Sequence, residues 1–178
     1  MWRKKSRDLC EQYAEEMDTQ EAKINLAVCY NRLGDLSMHE NELRTEKDFC
    51  KAKEYNEKYM ELCKAVVKDI KIEKAMREMY VSYQKYGETL HHMGDVAAAK
   101  SYYEKGHAIC KELVNRSESP ERKADLAVSY YRLESMYPER GYQKKAINIC
   151  EELCRIYPNV DLYRTYLQIF KGNNETNA

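Results

Sequence analysis

The sequence predicts an all-α fold, an α-α superhelix of about three helix pairs with flanking helices. Three observations predict it. Three prolines and six glycines among 178 residues, with 34% charged side chains, suit helices joined by short turns. Apolar residues recur at spacings of three and four, the period of a helix with one buried face. That pattern also returns along the chain. LAVCYNRLGD (26–35) reappears as MYVSYQKYGE (79–88) and LAVSYYRLES (126–135), with offsets of 53 (79 − 26) and 47 (126 − 79). Leu9-Cys10, Leu62-Cys63 and Ile109-Cys110 keep the same offsets, so each unit is a helix A followed by a helix B.

Taken in order, the chain opens on a half-repeat, residues 1–18, which aligns with the helix B around Cys110. Two readings of it stand side by side. The chain is a segment of a longer array or larger protein, or the unpaired helix docks on another copy, since a repeat needs a neighbour to cover its apolar face. Repeats follow at about 19–70, 71–117 and 118–158, then a closing helix at 159–171 and a disordered tail at 172–178. All of 1–171 reads as one domain. The first repeat carries six extra residues around Met38 to Lys47, a longer connection or an extended helix end; such an insertion costs little loop entropy.

In the second repeat, helix B presents Val96, Ala99, Tyr103, Gly106, Cys110 and Leu113 on one stripe, and helix A presents Met79, Tyr83, Tyr86, Gly87, Leu90 and Met93. Gly34 and Gly87 interrupt helices and therefore call for a close-packing reason. Gly94-Asp95 and Gly141 mark A-to-B turns, where glycine takes the left-handed conformation. Ser119-Pro120 opens the third helix A as N-cap and first helical residue. Pro158 closes the last helix B, and Val160 to Phe170 forms one more amphipathic helix.

The pattern resembles the tetratricopeptide repeat. Tyr83, Tyr86, Gly87, Leu90, Gly94, Ala99, Tyr103 and Gly106 fall at the spacing of that motif, as do Tyr130, Leu133, Tyr137, Gly141, Ala146 and Pro158. The departures are Glu134 in place of a small residue, the insertion, and units longer than the usual ~34 residues. The longer form is similar to bacterial long-repeat arrays. The resemblance implies a right-handed stack whose A helices line a concave side.

Thirty basic and thirty acidic side chains cancel, so the balance of charge predicts no nucleic-acid partner. Basic Arg3, Lys4, Lys5 and Arg7 beside Trp2 read as a solvated helix end. No apolar run reaches membrane-spanning length and no secretory signal opens the chain, which reads as soluble with no membrane partner. Seven cysteines, an odd number in a helical chain, suit free thiols in a reducing cytoplasm. Two Asn-X-Ser/Thr matches, at Asn115 and Asn174, have meaning only in a secreted protein.

Cys10, Cys63 and Cys110 occupy one repeat position and read as core residues. Cys150 and Cys154 lie one turn apart, yet zinc needs two further ligands and none is suggested nearby. His91 and His92 are neighbours that diverge around a helix, poorly placed to share an ion. Phosphate loops, dinucleotide fingerprints and nucleophile elbows are absent, so no metal, cofactor or catalytic residue is expected.

The candidate binding residues are columns on helix A: Asn31, Gln84 and Tyr131; Arg32, Lys85 and Arg132; Asp35 and Glu88, with Ser135 after them; and His91 and His92. They are expected to line a polar groove for a protein or peptide partner. Asp35 and Glu88 would repel the C-terminal carboxylate that some tetratricopeptide co-chaperones clamp, so that clamp is not expected. Two other classes stay open, a sensor segment of a larger protein and a metal-binding or enzymatic protein using Cys150, Cys154 and the histidines.

Overall fold

The structure, a computed structural model, describes residues 2–39, 45–69 and 73–172. These residues form an all-α fold. Its helices are α1 (Trp2–Met17), α2 (Gln20–His39), α3 (Glu46–Asp69), α4 (Glu73–His92), α5 (Val96–Arg116), α6 (Pro120–Glu134), α7 (Tyr142–Ile156) and α8 (Asp161–Lys171), with a 3-10 turn at Pro138–Arg140. The repeat arithmetic appears in these boundaries. α4 begins and ends 53 residues after α2, and α6 begins 47 residues after α4. The insertion of the first repeat falls mostly on residues 40–44, and the tail on 173–178, both outside the described residues.

Local chemistry starts and stops the helices. Thr19 Oγ1 accepts from Ala22 N at 3.2 Å, Asp95 Oδ1 from Ala98 N at 3.1 Å, and Ser119 Oγ from Arg122 N at 3.3 Å, each satisfying a backbone donor that a helix start leaves unpaired. Gly94 and Gly141 adopt φ of +84° and +62° with open space around them, as turn glycines do. α7 starts on Gly141, which has no capping side chain. Glu134 caps that helix instead, its Oε2 accepting from Gln143 N at 2.8 Å. This explains the departure from a small residue at position 134, because a carboxylate held at a helix N-terminus also meets the positive end of the helix dipole.

The chain divides into two compact units, Met1–Tyr102 and Tyr103–Ala178. In the first, α1 packs on α2, α2 on α3 and α3 on α4. Its core gathers Ala27, Tyr30 and Leu33 of α2 with Tyr59 and Cys63 of α3. Tyr59 is fully buried, and its hydroxyl donates to Glu78 Oε2 at 2.7 Å. In the second, α6 packs on α7 and α7 on α8. Ala127, Ala146, Cys150 and Phe170 form one cluster, and Ala124, Leu153 and Tyr163 another.

Most expected core positions are buried, including Tyr83, Tyr86, Leu90, Ala99, Tyr103, Cys110 and Leu113. Four are not. Met93 and Val96 are exposed because they flank the Gly94 turn, just after the end of α4 and at the first residue of α5. Leu9 is 66% exposed and Cys10 half-buried. α2 covers the Ala14 side of α1, and Leu9 points away from it.

Candidate functional site

Four of the ten candidate residues meet in one place within the first unit. Asp35 on α2 and Lys85, Glu88 and His92 on α4 line a polar recess of about 70 Å³, together with Asn56 of α3 and Thr89. Helical spacing on α4 supplies three of them: positions 85, 88 and 92 lie three and four apart and share one face. Asp35 reaches across from α2 to form an ion pair with the Lys85 ammonium. Thus the basic column does not present three open cations.

The floor of the recess is a buried amide. Asn56 is only 2% exposed. Its Nδ2 donates to Thr89 Oγ1 at 3.0 Å, and Thr89 Oγ1 in turn donates to the Lys85 carbonyl at 3.1 Å. Asn56 Oδ1 has no hydrogen-bond partner. It lies against Gly34, where a Cβ would stand 2.5 Å from that oxygen. The close-packing reason expected for Gly34 is therefore the carboxamide of Asn56.

This amide was missed from sequence because the columns were sought on helix A. A signal existed. Asn56 aligns with Tyr103 at the offset of 47, so a polar residue interrupts the apolar stripe of helix B at its aromatic position.

The rim is aromatic on one side. The His92 ring stacks on Phe49 of α3 with centroids 5.8 Å apart, and lies 6.5 Å from the His91 ring. Both histidines are exposed. The recess lining holds two carboxylates, Asp35 and Glu88, and one ammonium, Lys85, which is paired with Asp35. About 70 Å³ matches roughly two waters or one side-chain end group. It is far below the roughly 300 Å³ at which small-molecule sites begin.

The remaining candidates lie elsewhere. Arg32 is exposed and borders a different groove, between α1 and α2. Asn31 is half-buried with an unpartnered Oδ1. Gln84, expected to be open to a ligand, is buried, and neither of its amide atoms has a partner. The reason is α4 itself, which buries ten of its twenty residues and leaves little of its circumference free.

Tyr131 also belongs to packing: its ring stacks on Phe170 of α8 at 4.7 Å. Arg132 is half-buried. Among the described residues no group of three or more His, Cys, Asp or Glu is placed to hold a metal ion, and no helix is long and apolar enough to cross a membrane. Cys150 is buried and Cys154 half-buried; burial raises the Cys150 thiol to about 12.

Compared with known proteins, the chain matches no family model, no curated protein and no solved structure.

Proposed function

We propose that this chain is a protein- or peptide-interaction module of tetratricopeptide type, without catalytic activity, which takes a basic side chain of its partner into the recess between α2 and α4. The carrying observation is the convergence of Asp35, Lys85, Glu88 and His92 on one polar recess floored by Asn56. Three further features support it. The repeat pattern resembles that of long-repeat bacterial tetratricopeptide arrays. The recess suits one end group, as expected where an extended partner contributes side chains one at a time. The excess of carboxylates selects Lys or Arg as that end group. Seven free thiols accord with a reducing cytoplasm as the place of action.

Panning a random peptide library on the purified chain tests this. Recovered peptides are expected to be enriched in Lys or Arg. They should bind Glu88→Lys at least about tenfold more weakly, with helicity and melting unchanged. Peptides without basic residues, or equal binding to Glu88→Lys, would contradict the assignment.

A further inference from the structure

We infer that α1 is a self-association helix through which two copies of this chain pair antiparallel. The observation is an apolar row turned to solvent. Leu9, Tyr13 and Met17 are 66%, 47% and 51% exposed, and spacings of four place them on one side of α1. The opposite side is already used: Ala14 is buried, and the Tyr30 hydroxyl of α2 donates to Glu11. A row of large exposed apolar side chains on one helix marks an interface.

Two features of the chain select a second copy as the occupant. The first is shape. Beside the row lies a groove of about 540 Å³ between α1 and α2, lined by Ser6, Cys10, Val28, Cys29 and Leu36 among others, with Leu36 itself 43% exposed. Ser6 and Cys10 stand next to Leu9 and Tyr13 on the helix, so ridge and groove share one surface. A surface that carries both has what a second copy of itself, turned about a two-fold axis, needs to offer in return.

The second is charge. By sequence, the first half of α1 is mainly basic (Arg3, Lys4, Lys5 and Arg7, with Asp8) and the second half acidic (Glu11, Glu15 and Glu16). Arg7 pairs with Asp8 and Glu11 within the helix and Asp18 with Lys23, while Lys5, Glu15 and Glu16 are exposed. A parallel pair sets like charge on like; an antiparallel pair sets each basic half on an acidic one. Lys5 and Glu16 are eleven residues apart, about three turns, and flank the apolar row on the same edge. In the antiparallel pair Lys5 of each copy meets Glu16 of the other, twice per dimer.

The helix has 16 residues and is thus about 24 Å long. Such an interface falls at the small end of specific contacts, so the dimer is weak, with a dissociation constant on the order of 10–100 μM. This surface does not overlap the α2–α4 recess, and its test is independent of peptide binding.

Sedimentation equilibrium of the purified chain from 1 to 500 μM is expected to show a reversible monomer–dimer equilibrium. Leu9→Asp should abolish it while circular dichroism and melting stay as in the parent, because Leu9 is exposed. Lys5→Glu and Glu16→Lys should each weaken it roughly tenfold. Mixed in equal amounts, these two variants should form a heterodimer, since every edge pair then joins opposite charges. A chain that stays monomeric throughout, a dimer indifferent to Leu9→Asp, or a mixture no tighter than its components would overturn the inference.

Discussion

Equivalent repeat positions do opposite things in the two compact units. In Met1–Tyr102, Asp35, Lys85 and Glu88 line a recess: Asp35 pairs with Lys85, and Asn56 stands where α5 has Tyr103. In Tyr103–Ala178 the matching positions make other contacts. Tyr131, the counterpart of Asn31 and Gln84, stacks on Phe170, which stacks on Tyr166 at 5.9 Å. Ser135, the counterpart of Asp35 and Glu88, turns its hydroxyl back to the Arg132 carbonyl at 3.0 Å. Gln143 ties α7 to α8, donating to the Phe170 carbonyl at 2.7 Å while its backbone N–H is held by Glu134. Register therefore fixes where a side chain stands, and the identity of its neighbours decides whether that place is a site or a seam.

The comparison can be broken from either side. The largest effect is expected at Phe170→Ala, which removes a ring that is 2% exposed and common to the Tyr131 and Tyr166 stacks. Loss of a buried aromatic ring costs about 3–4 kcal/mol, measurable by urea unfolding. A cost below about 1 kcal/mol would mean that α8 does not close the second unit. Next comes Gly34→Ala in the first unit. Its Cβ would stand 2.5 Å from Asn56 Oδ1, so the amide must shift and its bond to Thr89 suffers, at about 2 kcal/mol. Gly34→Ala with unchanged stability would show that Asn56 has room to move.

The second unit also carries a pH dependence. His107 is half-buried, its Nδ1 is 2.9 Å from Ser129 Oγ, and Ser129 donates its own proton to the Leu126 carbonyl. The imidazole is therefore the donor to Ser129, and its neutral form meets that bond. Burial first, then Lys111 and Lys145, lower the His107 pKa to about 4. Because the folded value lies below the unfolded one near 6.5, the unfolded chain binds the proton more readily. Stability is then full above about pH 6.5 and declines towards about pH 4, by on the order of 2 kcal/mol after allowance for partial exposure. Urea midpoints against pH should flatten over this range in His107→Phe. The smallest of these effects belongs to the cap of α6: Ser119→Ala is expected to cost about 1 kcal/mol.

Much of this was legible beforehand. The bounds of α2 and α4 and the start of α6 followed the 53- and 47-residue offsets because the same apolar spacing recurs in register, and Gly94-Asp95, Gly141 and Ser119-Pro120 punctuate it. The site was harder to read. A column of residues on a helix wheel says which face they share, yet whether that face is open depends on elements far away in sequence. Phe170 covers Tyr131 from 39 residues away (170 − 131), and Asn56 floors the recess from the other helix of the pair. Nothing local in the sequence around Gln84 announces that α4 is enclosed there. The ion pair of Asp35 with Lys85 joins successive repeats, a link that reading one repeat at a time does not expose.

The central claim is that recognition belongs to the Asp35 and Glu88 positions of the first unit and not to their counterpart Ser135 in the second. Isothermal titration of one basic peptide from the library against the parent chain, Glu88→Lys and Ser135→Lys tests it at matched repeat positions. The prediction is at least about a tenfold loss for Glu88→Lys and no measurable loss for Ser135→Lys. Equal losses, or a loss confined to Ser135→Lys, would contradict it.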